Sequence, residues 1–401
     1  MAPLSGLYVH VPFCQSKCPY CDFFSITSAA LIPAYLSALD KEAKIYAQKP
    51  ANAGTGVPSR KYKKPVKAQT KACGYQNSNF SSFDTLFLGG GTPSLLSGAQ
   101  IAGLVQGVRR HLSFASAIEF TLEANPDDIS REKLLLWRDL GVNRLSLGAQ
   151  SFDEAELAFL KRRHTAAQTL EAVSLIRAAG FENLGLDLIY GLPGQTPDAW
   201  LKTLKQALVS APEHLSCYQL TLAPGTPLSR RAAGGRLALP DEETQRALFL
   251  LTCEFLTGRG FLQYEVANFA RGEEYRCRHN LKYWRRQPYL GLGPAAHSFQ
   301  GGRRWWNHRG LSAYAAALAA GRAPRAGHEA LTPEQVRLET LYLGFRTREG
   351  VDLKVIESHS GWGEVLSRLQ DEGLLRLTGG RVAATPRGLV IADRLPLLFV
   401  N

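Results

Sequence analysis

The stretch LYVHVPFCQSKCPYC at residues 7–21 decides the fold of this chain. Residues 7–11 form a short apolar run, and Cys14, Cys18 and Cys21 follow directly after it. In parallel β/α folds, the loops that follow the strands gather at one end of the sheet and hold the chemistry. The stretch therefore predicts a β/α protein whose site lies at the carboxyl ends of its strands.

Further short apolar runs alternate with amphipathic helical patterns along the chain. The runs lie at residues 85–88, 119–122, 144–147, 184–189 and 215–220. The helical patterns lie between them, at residues 95–111, 131–140, 152–160, 165–179 and 199–209. Strand and helix repeated about six times indicates parallel β-structure with right-handed crossovers. Six units rather than eight predict an α/β fold built as an open, partial (β/α)6 barrel.

The pattern changes twice along the chain, so we expect three regions. Residues 1–235 carry the repeats, residues 236–325 are rich in aromatic and basic side chains, and residues 330–401 show short helices followed by a hairpin. The turn Thr378-Gly379-Gly380 marks that hairpin, because consecutive glycines suit a tight turn. We expect a barrel, an extension that covers or lengthens its mouth, and a small winged-helix-like C-terminal domain.

The net charge of +12 has a local origin. Residues 49–71 carry lysines and arginines but no acidic residue, among proline, glycine and alanine. This composition cannot bury apolar area, so it predicts a flexible insertion at about residues 49–80. An arm that binds anions is the alternative. The rest of the chain has an ordinary charge balance, and nucleic acid is therefore not an expected partner.

Cysteine use and hydropathy predict a cytoplasmic protein. No apolar run approaches the roughly 20 residues that a membrane span needs, and no secretion-signal pattern occurs. Three of the seven cysteines fall within eight residues, which suits metal ligation in a reducing compartment. The others are scattered and are expected to be ordinary thiols: Cys73, Cys217, Cys253 and Cys277.

Cys14, Cys18 and Cys21 supply three thiolates for a [4Fe-4S] cluster. A cubane has four irons, so three cysteines leave one iron open. That iron can chelate S-adenosylmethionine (SAM), and one-electron reduction can then break a C–S bond to give a 5′-deoxyadenosyl radical. The alternatives are structural thiols or a zinc site completed by His10. Closed zinc sites use four protein ligands, and no second Cys-x-x-Cys is available.

Two further motifs suit SAM binding. Gly90, Gly91 and Thr92 lie in a glycine-rich segment after the second strand, where bare backbone lets N–H groups approach the methionyl end of SAM. A tight strand-to-helix turn is the alternative. Glu123 at the end of the third strand can accept hydrogen bonds from ribose hydroxyls, or it can be a salt-bridge partner.

The motifs together resemble one family. The C-x3-C-x2-C spacing, Gly89-Gly-Gly-Thr-Pro93, Glu123-Ala-Asn-Pro126 and the segment from Asp187 to Thr196 resemble the radical SAM family of oxygen-independent coproporphyrinogen III oxidase. The resemblance runs in order from Tyr8 to about Phe299. It implies that SAM is contacted by the following residues: Tyr8, Gly90, Gly91, Thr92, Glu123, Gln150, Arg162 and Asp187. It also places Tyr20 near the adenine, unless that ring only shields the cluster from water.

Two departures from the oxidase resemble the haem-chaperone subgroup of that family, HemW. The oxidase carries a fourth cysteine two residues after the third, where this chain has Phe23. The segment from His279 to Trp284 fits the HNxxYW motif of the subgroup. This implies that haem is carried to a haem-accepting protein, for which a membrane-associated respiratory target is one option. It also allows a homodimer, and no catalytic side chain is assigned.

The same motif supplies candidate haem contacts. His279 could give an axial nitrogen to the iron while Tyr283 and Trp284 pack on the porphyrin, or it could be structural. His297 is the second candidate, or it lines the SAM pocket. Five arginines could pair with haem propionates or form a solvated basic face: Arg278, Arg285, Arg286, Arg303 and Arg304.

Three functions therefore compete. The first is a haem chaperone that uses a cluster and SAM. The second is an oxidase that decarboxylates coproporphyrinogen III, and the third is a radical SAM enzyme that modifies RNA. Phe23 and the HNxxYW segment favour the first over the second. The Gly-Gly-Gly-Thr-Pro and Glu-Ala-Asn-Pro segments disfavour the third.

Overall fold

The computed structural model describes residues 4–47, 80–357 and 361–400. The basic segment at residues 49–71, for which we predicted a flexible insertion, lies outside the described residues. Within them, the main body is a single mixed sheet of twelve strands.

Six consecutive parallel strands form the centre of this sheet, and they confirm the predicted partial barrel. Each predicted apolar run lies in one of them, apart from the last residue of the sixth run. The strands are β1 (Ser5–Val11), β2 (Phe83–Gly90), β3 (Phe114–Ala124), β4 (Arg144–Gln150), β5 (Leu184–Tyr190) and β6 (His214–Gln219). Their apolar side chains are almost wholly buried, as parallel strands covered by helices require.

Helices connect these strands and cover the sheet. Ser97 and Thr165 begin two of them with capping boxes, in which Gln100 and Gln168 bond back to the chain. The helices of this part are α1 (Ile32–Ala47), α2 (Gly98–His111), α3 (Arg131–Asp139), α4 (Glu154–Phe159), α5 (Ala166–Ala178), α6 (Pro197–Val209), α7 (Pro227–Ala233) and α8 (Glu242–Thr257). The sequence analysis predicted α2–α6 but did not identify α1, α7 or α8.

The extension lengthens the sheet at both edges. Beyond β6 lie β8 (Asn268–Ala270) and β7 (Leu262–Gln263), both antiparallel to their neighbours. Beyond β1 lie β9 (Tyr289–Leu292), β10 (His297–Gln300), β11 (Arg303–Asn307) and β12 (Arg325–Ala330), with α10 (Leu311–Ala319) packed on α1. β9 runs parallel to β1, so β1 is paired on both sides.

The short helix α9 (Arg278–Trp284) joins these two edges and closes the barrel at the end opposite the cysteines. The buried carboxylate of Glu119 in β3 accepts hydrogen bonds from the N–H groups of Arg278 and His279, each at 2.9 Å. Lys282 donates to the carbonyl of Leu4 at 2.7 Å and pairs with Asp84 at the start of β2. The expectation that this region covers the mouth is therefore wrong for α9, which covers the amino ends of β1–β3.

The last part of the described chain has a hydrophobic core of its own, which includes Leu341, Phe345 and Val382. The predicted hairpin is present, with Gly379 and Gly380 at φ values of 58° and 73° as the tight turn requires. The elements are α11 (Pro333–Gly344), β13 (Val351–Asp352), α12 (Leu353–Glu357), α13 (Trp362–Asp371), β14 (Leu375–Thr378), β15 (Arg381–Ala384) and α14 (Pro386–Leu389). The domain boundaries at residues 235 and 330 stay predictions.

No helix within the described ranges is both long and apolar enough to cross a bilayer.

We expect Glu119→Ala to destabilise the protein by about 3 kcal/mol, because two helix N–H groups lose a buried charged acceptor. Denaturant unfolding followed by circular dichroism measures the change. Glu182→Ala, on an exposed residue before β5, is the matched control and should have little effect. Equal stability of the two variants would contradict the role given to Glu119.

Candidate functional site

A cavity of about 990 Å³ occupies the inside of the barrel. The cysteine loop and the carboxyl ends of β1–β6 form its mouth, and His279 and Tyr283 of α9 lie at its other end. It brings together Tyr8, Tyr20, Gly90, Gly91, Thr92, Glu123, Gln150, Arg162, Asp187 and the three clustered cysteines. The predicted SAM and cluster residues therefore share one enclosed space, as the convergence of parallel strand ends predicts.

Backbone hydrogen bonds and one histidine hold the cysteine loop in place. The N–H of Cys14 donates to the carbonyl of Ile26 at 3.0 Å, and the N–H of Ile26 donates to Pro12 at 2.7 Å. The ring of His10 contacts the carbonyl of Phe24 through Nε2 at 2.8 Å and the hydroxyl of Tyr8 through Nδ1 at 3.1 Å. Both nitrogens of His10 are engaged, which disfavours the zinc site that it would have completed.

The three half-buried thiols suit a cluster better than a single ion. Within the described part of the chain, no three His, Cys, Asp or Glu side chains converge on a position for one metal ion. In a cubane, each cysteine binds a different iron, so the sulfurs need not converge. The Thr92 hydroxyl and the Arg162 guanidinium donate to Cys14 Sγ and Cys18 Sγ at 3.5 and 3.6 Å. Such donors would stabilise thiolates bound to iron.

The glycine-rich segment is used differently from our expectation. The N–H of Gly90 donates to Glu123 Oε2 at 3.0 Å, that of Gly91 to Val11 at 2.8 Å and that of Thr92 to Phe13 at 2.7 Å. These N–H groups already have protein partners, which disfavours the idea that they approach the methionyl end of SAM. The glycines instead allow close packing against β1, where a Cβ on Gly91 would lie 2.7 Å from the Phe13 carbonyl.

Glu123 and Asp187 are two half-buried acids in the cavity wall. Burial and the nearby charge of Asp187 raise the pKa of Glu123 to about 7, although the Gly90 N–H and the charge of Arg144 oppose the shift. Burial also raises the pKa of Asp187, although hydrogen bonds from Ser216 and Ser146 oppose the shift. Acids of this kind can accept hydrogen bonds from ligand hydroxyls with little competition from water.

Gln150 stands at the end of β4 in a left-handed conformation, with φ of 67°. The pairing of β4 with β5 is irregular between Leu147 and Gln150. A non-glycine residue rarely adopts this conformation. The kink turns Gln150, which lines the cavity, out of the regular strand register.

Arg162 connects three parts of the mouth. Besides Cys18, its guanidinium donates to Asn125 Oδ1 at 2.5 Å and to the carbonyl of Gly148 at 3.0 Å. Burial lowers its pKa, but contacts with Tyr20 and Cys18 outweigh burial and raise it. Tyr20 also packs on a cluster that includes Ile189, Leu220 and Leu228, so it anchors the cysteine loop to the opposite wall.

The sequence analysis missed several residues of this cavity, Asn125 and Arg144 among them. Asn125, within the quoted Glu-Ala-Asn-Pro segment, holds Arg162. Arg144 at the start of β4 is 2% exposed and lines the cavity, and its Nε has no hydrogen-bond partner in the described structure. Arg144 lies in an apolar run that we read only as a strand, so its sequence context gave no signal.

His279 is buried at the closed end of the barrel, where it is 1% exposed. Its Nδ1 contacts the hydroxyl of Thr85 and its Nε2 that of Tyr283, both at 2.8 Å. Burial, reinforced by the charges of Lys282 and Arg144, lowers its pKa to about 3. Its environment matches the structural alternative, and its role as a haem ligand stays a prediction.

The other candidate haem contacts separate into two places. Trp284 packs with Tyr264 and Leu281, whereas the ring of Tyr283 meets that of Tyr289 edge-on at 4.5 Å. His297 is exposed at the edge of the barrel cavity and stacks on Trp306. Burial of part of the ring lowers the pKa of His297, and Arg304 adds to this while Glu329 opposes it.

Four of the five candidate arginines form ion pairs within the protein rather than a free basic face. Arg278 pairs with Asp84, Arg285 with Glu349, Arg286 with Glu339, and Arg304 with Glu329 and Glu339.

Fold and site together define a radical SAM protein. The family description "Radical SAM superfamily" matches residues 8–207, and "HemN C-terminal domain" matches residues 331–391. The solved structure of coproporphyrinogen III oxidase (HemN) from Escherichia coli covers 99% of this chain and 90% of its own, with a TM-score of 0.76. At 24% identity this likeness shows the fold alone.

Relatives of known name identify the family. The heme chaperone HemW of Mycobacterium tuberculosis (strain H37Rv) is 35% identical over 97% of this chain and 93% of its own length. HemW of Bacillus subtilis (strain 168) is 34% identical over 98% of both chains. HemW of Escherichia coli (strain K12) is 37% identical over 74% of this chain and 70% of its own length. The chain belongs to the heme chaperone HemW family.

We expect Gly91→Ala to lower the amount of cluster held after anaerobic reconstitution. The new methyl group would displace the backbone at Val11 and Phe13, where β1 ends and the cysteine loop begins. Iron and sulfide content and absorbance near 400 nm measure this. Gly103→Ala in α2 is the control, because a Cβ there meets nothing within 4 Å. It should stabilise the helix by about 1 kcal/mol. A full cluster in the Gly91 variant would contradict the packing argument.

His279 gives a pH-dependent prediction. Its pKa is lowered in the folded state, so its contribution to stability is complete above pH 6.5 and is lost as pH falls toward 3. Between pH 7.5 and 5 the wild type should lose about 2 kcal/mol through this group. Urea unfolding at both pH values should show a smaller loss for His279→Asn than for wild type or the His308→Asn control. An equal loss in all three would exclude a buried neutral His279.

Proposed function

We propose that this protein is a haem chaperone that carries a [4Fe-4S] cluster and SAM, binds haem and delivers it to an acceptor protein. The observation that carries the proposal is the end of the cysteine loop, where the oxidase pattern has a fourth cysteine. Phe23 occupies that position, is 66% exposed and lines the mouth of the barrel cavity. Membership of the HemW family supports the same conclusion.

Cys14, Cys18 and Cys21 would hold the cluster. Tyr8, Tyr20, Gln150 and Arg162 would surround SAM together with Glu123, Asp187 and the segment 90–92, since all of them line the same cavity. The cluster, when bound, supplies the electron that SAM chemistry needs. The residues of this chain would position it: His10 fixes the loop, Arg162 and Thr92 donate to two sulfurs, and Tyr20 packs on the opposite wall.

The candidate haem contacts are His279, Tyr283, Trp284 and His297. The partner would be a haem-accepting protein, for which a membrane-associated respiratory protein is one option. A homodimer is a further possible assembly. We place the protein in the cytoplasm, because free thiols that bind a cluster persist in a reducing compartment.

Anaerobic titration of haem into the cluster-reconstituted protein tests the proposal. Absorbance should saturate near one equivalent per chain, and loaded protein should pass haem to an added apo-haemoprotein. The same protein, supplied with SAM, a reductant and coproporphyrinogen III, should form no decarboxylated product. Unsaturable haem binding together with consumption of coproporphyrinogen III would contradict the chaperone function and support the oxidase function.

The RNA-modifying alternative has a separate readout. An RNA-binding protein would keep RNA bound through its phosphates at moderate salt and would release it only as salt is raised. We expect this protein, purified at moderate salt, to carry no nucleic acid. Copurified RNA with a defined sequence would revive that alternative.

A further inference from the structure

A second cavity, of about 490 Å³, lies beside the barrel on one face of β9, β10 and β11. In the antiparallel register His297 is opposite Trp306, Phe299 is opposite Arg304, and Tyr289 is opposite Phe299. Directly paired residues lie on the same face of a sheet, as do residues two apart along a strand. The register therefore places one imidazole, three aromatic rings and one guanidinium on a single face.

The wall of this cavity is shaped by a glycine in β12. Gly327 is opposite Trp306, and a Cβ on Gly327 would lie 2.4 Å from the indole. The indole thus lies directly against the backbone of the neighbouring strand. The His297 ring stacks on this indole, with centroids 5.9 Å apart and planes 27° apart. Neither ring nitrogen of His297 hydrogen-bonds to another described residue, so the imidazole is held by stacking alone.

Two arginines lie at the other side of the cavity. Arg286 and Arg304 both form ion pairs with Glu339 of α11, and the Arg286 guanidinium lies 5.4 Å from the centre of the Phe299 ring. Arg286 follows the end of α9 at a φ of 50°, a position that favours glycine. An arginine at this position accepts an unfavourable backbone conformation and places its guanidinium at the cavity.

We infer that this second cavity is the haem site, with His297 as the axial ligand and with Arg286 and Arg304 as partners of the propionates. The inference rests on the proposed function and adds the location to it. A flat aromatic iron chelate with two carboxylates fits this set, because the imidazole can bind iron, the rings can pack on a macrocycle and the guanidinium groups can pair with carboxylates.

His279 has a different part in this arrangement. It does not line the second cavity, but its Nε2 contacts the hydroxyl of Tyr283, and Tyr283 lines both cavities. His279 is therefore a positioning residue for the wall between the two cavities. His297 also lines both, so iron bound to it lies at the edge of the space that contains the cysteine loop.

Glu339 belongs to the C-terminal part of the chain and competes with the propionates. Its carboxylate already pairs with both arginines, so haem binding at this site exchanges one set of carboxylates for another. Movement of α11 toward the site would favour release, and movement away would favour capture. Haem affinity should therefore respond to the charge of Glu339.

Haem titration of the full-length, cluster-reconstituted protein tests the ligand. His297→Ala should lose the absorbance and electron paramagnetic resonance signature of imidazole-ligated haem and raise the Kd at least about tenfold. Added free imidazole should restore the signature. His308→Ala, a histidine next to β11 that lines neither cavity, should behave as wild type. His279→Asn should keep imidazole ligation, even if its affinity falls.

A second haem titration tests whether the Glu339 carboxylate competes with the propionates. Glu339→Gln should tighten haem binding severalfold, whereas Glu334→Gln on the same helix should not, because Glu334 pairs only with Arg337 in the described structure. Saturable wild-type binding with an unchanged spectrum and Kd in His297→Ala would overturn the site and leave the chaperone proposal standing. Loss of imidazole ligation in His279→Asn instead would also overturn it. Absence of saturable binding by the wild type would overturn both proposals.

Discussion

The pairing of β1 on both of its edges is the constraint on which the rest of the structure depends. β2 and β9 both run parallel to β1, so residues 6–9 of β1 are paired on both sides and the strand is held in place. The cysteine loop begins there, and Gly91 and Thr92 bond to the carbonyls of Val11 and Phe13. A cluster needs three sulfurs at fixed positions, and this rigid strand end provides the reference for all of them.

Much of this architecture could be predicted because it is encoded locally. The runs at residues 7–11 and 184–189 have the composition of buried parallel strands, and Gly379-Gly380 suits one kind of turn. The pairing of β9 with β1 was not predictable, because it joins residues about 280 positions apart and leaves no periodic signal. The same applies to Arg144, whose burial depends on strands that only the tertiary structure brings around it.

The candidate site, like the fold, was predictable only in part. Residue types and spacing were sufficient to gather the cysteines, Glu123 and Asp187 in one cavity. The hydrogen-bond partners of these residues could not be predicted from the sequence. The N–H groups of Gly90 and Gly91 donate to other parts of the protein, and the ring of His279 contacts Thr85 and Tyr283. A motif states which atoms are present, but only the fold determines whether their hydrogen-bonding capacity is already used.

The double pairing of β1 also sets an order of assembly during synthesis. The segment Tyr289–Leu292 emerges from the ribosome long after β1 and β2, so until then one edge of β1 has unpaired backbone groups. Such an edge can pair with other chains and aggregate. α9, which fastens the amino ends of β1–β3, is also made late. Nascent chains therefore need protection of this edge until nearly three quarters of the sequence has been translated, and stable insertion of a cluster belongs after that point.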